Sequence, residues 1–155
     1  MPTPSTAPVS KARDAQLDRA NLGFLLAKAS QRWNELLHER FVAAGYAEVR
    51  PAYGSILIPL FEEDGLRMGE LGRRAGLAKQ TMTTMVRLLE RDRLVERRGD
   101  PDDGRAKRVF LTERARAFRP VAEGILADLD ALVGAHVRPN DRAAARRALE
   151  EVIRL

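Results

Sequence analysis

Through the first third of the chain, apolar residues recur at three- and four-residue spacing: Leu22, Leu25, Ala29, Trp33, Leu36 and Leu37. That period predicts one long helix over 11–41, with Asp14 as a candidate cap and Gly45 beyond its end. After Pro51 a shorter helix is expected, apolar at Ile56, Leu57, Leu60 and Phe61 and closed by Glu62, Glu63, Asp64 and Gly65. Two further short helices follow over 67–75 and 79–91, punctuated by Gly76, the second carrying Met82, Met85, Val86 and Leu89 on one face. The period then changes. Residues 94–98 and 107–111 are short extended runs around a Gly/Pro/Asp-rich loop, the signature of a hairpin. Thr112 is placed to cap the next helix, with Glu113 in its first turn. Ala115, Phe118, Ala122, Ile125, Leu129 and Leu132 carry that helix to about His136, with a bend expected at Pro120. Pro139 and Asn140 open a last helix striped by Ala145, Ala148, Leu149, Val152 and Leu155. The pattern is mainly α with one small β-hairpin.

Composition narrows the class. The chain has 155 residues, enough for about one domain, and 32% of them are charged. No apolar run approaches the roughly 20 residues of a membrane span. Residues 1–10 lack the basic and apolar regions of a secretory signal and are expected to be a disordered lead. The absence of cysteine excludes disulfides, thiol redox sensing and cysteine metal sites, and a cytoplasmic location is the default expectation.

Charge is unevenly placed. Between Arg67 and Arg108 there are 12 basic and 7 acidic residues, a surplus that equals the chain's whole net charge of +5. A localised basic segment is the electrostatic footprint of a polyanion-binding surface, although a solvated face would carry the same charge. Within it, Leu71, Gly72, Gly76 and Leu77 have the sizes and turn chemistry of a helix-turn-helix. Burying Met82, Met85, Val86 and Leu89 turns Gln80, Thr83, Thr84, Arg87 and Arg91 outward. Gln and Thr read base edges in the major groove and Arg neutralises phosphate. The basic hairpin that follows fits a wing, and arginine suits a narrow minor groove.

The stretch "LVERRGDPDDGRAKRVFLTERA" resembles the wing of MarR-family (multiple antibiotic resistance regulator) transcription factors. Asp103, Gly104 and Arg105 match the family's Asp-x-Arg at the wing tip, and Leu111–Thr112 its Leu-Thr. With the flanking helices, the resemblance covers residues 15–155. It implies a winged helix-turn-helix lobe over 50–111 and a helical dimerisation region made of 11–45 and 112–155. It also implies a homodimer on a pseudo-palindromic duplex operator, acting as a repressor. Arg105 would enter the minor groove, with Asp103 holding the arginine and the turn in shape. Gln80, Thr81 and Thr84 would meet bases and Arg87 backbone, and Lys79, Thr83, Arg98 and Arg108 complete the implied DNA-binding set. Two positions depart from the family: Ala78 stands where a capping Ser or Thr is usual, and Arg93 where a Gly usually separates recognition helix and wing.

Members of the family are often released from DNA by small phenolic or anionic molecules. Here Trp33, His38, Tyr46, Arg50 and Tyr53 are the candidate effector residues, with core or dimer packing as the competing role for Trp33 and Tyr53. An enzyme is not expected. His38 and His136 are far apart without metal-ligand spacing, glycines 69, 72 and 76 do not form a dinucleotide fingerprint, and Glu62, Glu63 and Asp64 suit a solvated helix end. No cofactor is expected. The rival from another class is a winged-helix module for protein or RNA contacts.

Overall fold

The computed structural model describes residues 18–155. The N-terminal lead and the candidate cap Asp14 lie outside the described residues. Helix α1 spans Leu22–Ala43. Its start corrects the expected one at Lys11, because residues 18–21 are a turn in which Asn21 accepts the N–H of Gly23 at 2.9 Å and so caps the helix. Asn21 offers a helix an alternative partner for its own first N–H groups, a local competition that periodicity does not detect.

A 3-10 turn, Pro51–Tyr53, leads into α2 (Gly54–Glu62), followed by β1 (Leu66–Arg67), α3 (Met68–Ala75) and α4 (Lys79–Arg91). Strands β2 (Val95–Gly99) and β3 (Lys107–Leu111) then precede α5 (Glu113–His136) and α6 (Pro139–Ile153). The fold is thus a winged helix-turn-helix lobe between longer helices. Helix α5 is unbroken across Pro120.

The sheet has three strands rather than the two expected, in the order β1-β3-β2 and antiparallel throughout. Leu66 pairs with Val109 and Arg67 with Arg108. A two-residue strand has no period to detect; it exists because the outer edge of β3 is there to pair with it.

Residues 33–155 form a compact unit with a continuous core. Ile56, Leu57 and Leu60 from α2, Leu71 from α3, and Met82, Val86 and Leu89 from α4 are all buried. Leu94, Val95, Val109 and Leu111 close the core from the sheet, and Ala115 and Phe118 from α5. The helix crossing has the predicted cause. A Cβ on Gly72 would lie 3.1 Å from Met82 Cγ, so bulk there would push α3 and α4 apart. Gly76 ends α3 with φ 65°, a left-handed conformation natural to glycine.

Candidate nucleic-acid interface

Helix α4 turns its apolar side into the core and leaves Lys79, Gln80, Thr81, Thr84 and Arg87 exposed, with Thr83 half-buried. Its N-cap, Ala78, supplies no side-chain hydrogen bond, so the first-turn amides have no capping oxygen. Thr83 Oγ1 donates to Lys79 O at 3.0 Å and Thr84 Oγ1 to Gln80 O at 3.2 Å. With their protons committed to the helix, both hydroxyls are left with acceptor lone pairs to offer a partner. Among the described residues, the Arg87 and Arg105 guanidinium groups have no hydrogen-bond or ion-pair partner, and both are exposed.

The link from α4 to the wing is a tight reversal. Leu94 N–H donates to Leu89 O at 2.9 Å and Arg93 N–H to Glu90 O at 3.0 Å, which places Arg93 at φ 59°. The turn that the family usually forms with Gly is therefore made here by an arginine in the left-handed region, at a cost of about 1–2 kcal/mol. Thr112 secures it. Its hydroxyl donates to Arg93 O at 2.8 Å while accepting the N–H of Ala115 at 3.2 Å, so one side chain caps α5 and holds the root of the wing. The ion pair between Arg97 on β2 and Glu90 on α4 adds a second tie between wing and recognition helix.

The wing loop is closed at both ends. Asp100 N–H donates to Ala106 O at 3.0 Å, and Ala106 N–H to Asp103 O at 3.0 Å. Asp103 Oδ1 accepts the backbone N–H of Arg105 at 3.0 Å, so it shapes the turn rather than gripping the arginine side chain. Asp100 is the buried acid of the loop. It accepts from Arg67 Nε at 2.6 Å, Arg108 Nε at 3.1 Å and the Asp102 amide at 2.9 Å. The Asp102 amide hydrogen bond, with the Arg67 hydrogen bond and the charges of Arg108 and Arg67 behind it, holds its carboxyl below the usual carboxylate range against the opposing effect of burial.

The expected DNA-contacting arginines thus fall into two groups. Arg105 at the wing tip and Arg87 on α4 are uncommitted. Arg108 is bound through Nε to Asp100 and through Nη1 to Gly65 O at 3.0 Å, and Arg98 lies 4.4 Å over the Phe110 ring and pairs with Glu96. The sequence shows Asp100 only as one acid of a Gly/Pro/Asp-rich loop and singles out neither Arg67 nor the Glu90–Arg97 pair. Three nearby aspartates look alike in one dimension, and only strand register shows which one is enclosed.

The candidate effector residues also divide. A cavity of about 320 Å³ is lined by Trp33, Leu37, Phe41, Arg50, Pro51, Ser55, Phe118 and Leu126 among others, and brings Trp33 and Arg50 together. Tyr46 instead packs on Phe118, 5.0 Å between centroids, under the Arg114 guanidinium at 3.9 Å. Tyr53 is buried, and its hydroxyl donates to Asp92 at 2.5 Å. Burial, then that hydrogen bond, raise the Tyr53 pKa, while Asp92 is lowered because the Arg91 and Tyr53 hydrogen bonds outweigh its burial. His38 is exposed and does not line the cavity. No helix among the described residues is long and apolar enough to cross a membrane.

Known proteins are similar to this chain in sequence and fold. Residues 60–106 match the MarR family. The chain is 33% identical over 93 residues to the HTH-type transcriptional repressor Rv2887 of Mycobacterium tuberculosis, covering 60% of this chain and 67% of that protein. The transcriptional repressor CouR bound to a 23-mer DNA duplex superposes with a TM-score of 0.74 at 22% identity, over 90% of this chain and 99% of that one. The PcaV transcriptional regulator from Streptomyces coelicolor, in complex with its natural ligand, superposes with a TM-score of 0.74 at 23% identity, over 90% and 96% of the two chains. By fold, by wing motif and by relatedness, this chain belongs to the MarR family of winged helix-turn-helix transcriptional regulators and is not an enzyme.

Proposed function

We propose that this regulator binds a pseudo-palindromic duplex operator as a homodimer and represses transcription until a small anionic aromatic molecule releases it. The observation that carries the reading is the juxtaposition of two uncommitted surfaces. Gln80, Thr81, Thr84 and Arg87 project from one helix, and Arg105 projects from a loop braced against the same lobe. Lys79 and Thr83 extend the helix surface, and Arg98 and Arg108 contribute positive charge along the wing beside Asp103. Acceptor-bearing Thr and bidentate Gln suit base edges in the major groove, and Arg105 suits the minor groove beside it.

The dimer reading is supported by α6, which buries none of its residues although Leu149, Val152 and Ile153 are apolar. In this reading the segments 11–45 and 112–155 supply the dimer contact and 50–111 the DNA lobe. Two-fold symmetry then presents recognition helices about 34–36 Å apart, one turn of duplex. The repressor sign follows the described activity of the M. tuberculosis relative. The effector reading is supported by the apolar cavity with Arg50 as its cationic group, the chemistry of an aromatic carboxylate site, and by the ligand held by the S. coelicolor neighbour.

Titration of the purified protein onto duplex DNA at increasing salt tests this directly. About 6–10 phosphate contacts lower affinity by on the order of 10³–10⁵ between 50 and 200 mM salt. Absence of duplex binding at low salt favours the protein- or RNA-interaction module instead.

A further inference from the structure

Across the three-stranded sheet the register sets three arginines side by side. Arg67 on β1 pairs with Arg108 on β3, and Arg108 pairs in turn with Arg98 on β2. Directly opposed residues share a sheet face, and like charges so placed repel. Arg98 is drawn off by Glu96 and the Phe110 ring. Arg67 and Arg108 are both held by Asp100, whose side chain has no exposed surface. The second carboxylate oxygen of Asp100 takes the Asp102 amide, which fixes the first turn of the loop that ends in Arg105.

An acid at this position is otherwise hard to explain. It lies within the segment that carries the chain's whole charge surplus, where a negative group repels a polyanion. Buried ionic clusters add little stability compared with apolar replacements, but they can specify one geometry. We propose that Asp100 is the positioning residue of the wing: by gripping Arg67, Arg108 and the Asp102 amide it locks loop 100–106 so that Arg105 is presented to DNA. The proposal rests on the wing reading above. Asp100 itself touches no nucleic acid; it acts through Arg105.

The sign of the effect separates this role from plain electrostatics. Asp100→Asn removes a negative charge, so charge alone predicts tighter DNA binding, whereas loss of positioning predicts weaker binding. The full-length protein is titrated onto a fluorescent duplex chosen by selection from random sequence, as wild type, Asp100→Asn, Arg105→Ala and the double variant. Asp100→Asn is expected to weaken binding about 10-fold or more in the native background. In the Arg105→Ala background it should change affinity by no more than about 2-fold, because coupled residues are non-additive. Unchanged or tighter binding by Asp100→Asn overturns the proposal. Equal losses in both backgrounds overturn it too, since they report general loosening. If Arg105→Ala alone leaves affinity unchanged, the wing reading itself fails, and the positioning role with it. Should Asp100→Asn not fold by circular dichroism, Arg67→Gln removes one grip from a half-exposed partner and must show the same dependence on Arg105, or the proposal is wrong.

Discussion

Helices α4 and α6 are similar on paper and opposite in the fold. Both are amphipathic, both begin without a side-chain cap, at Ala78 and Arg138, and both are near the length at which an isolated helix is marginal. Helix α4 buries Met82, Val86 and Leu89, while α6 buries nothing. Each fully buried aliphatic side chain contributes about 1.5–3 kcal/mol, so α4 needs neither a good cap nor a good exit to stay helical. Helix α6 meets no such surface among the described residues: Leu149 remains 45% exposed and Ile153 83%. The same period therefore has two meanings. In α4 it marks the inside of a lobe whose outside is free for DNA, and in α6 it marks an outside that, in the proposed dimer, a second copy covers.

The largest expected effect breaks this contrast from the α6 side. Leu149→Lys combined with Val152→Glu should leave monomers by sedimentation in place of the proposed dimer, lowering affinity for a two-half-site duplex by about 10²-fold or more. A variant that remains dimeric removes α6 from the interface. Next comes the outer face of α4. Thr84→Ala should change discrimination at one base pair by about 1–3 kcal/mol, read by competition among single-substitution duplexes. A uniform loss across sequences would instead place Thr84 on phosphate.

Smaller effects probe how far packing carries α4 past its poor ends. Ala78→Ser supplies the missing cap and should add about 1 kcal/mol, or about 2–4 °C in Tm. No gain would mean that the first-turn amides are already satisfied. Arg93→Gly relieves the left-handed arginine, but the added freedom of the unfolded chain offsets part of the gain, leaving about 0.5 kcal/mol. A lower Tm for Arg93→Gly would show that the arginine side chain contributes packing worth more than its backbone strain.

Local chemistry explains which parts of the fold were legible. Helix α4 was expected over the residues it occupies because a buried face imposes a strong period, and Thr112 because a cap is a contact within three residues. The expected start of α1 lay too early because the Asn21 cap is a local hydrogen bond, and the apolar period itself begins only at Leu22. In the wing, the tip sequence was readable, but the fastening of its base was not.

Sequence by itself determined the helix-turn-helix, the hairpin, the concentration of positive charge between Arg67 and Arg108, and the family, because each rests on residues close together in the chain. Tertiary structure alone decided that β1 completes the sheet, that Asp100 among three neighbouring aspartates is the enclosed one, and that Arg108 is anchored while the Arg105 side chain has no partner among the described residues. It also separated Trp33 and Arg50, which line a cavity, from Tyr46 and Tyr53, which are packed in the core. Those outcomes depend on pairings between residues eight to more than sixty positions apart, such as Arg108 with Asp100, Arg67 with Asp100 and Arg114 with Glu48. The energy of such contacts comes from strand register and burial, which no local period encodes.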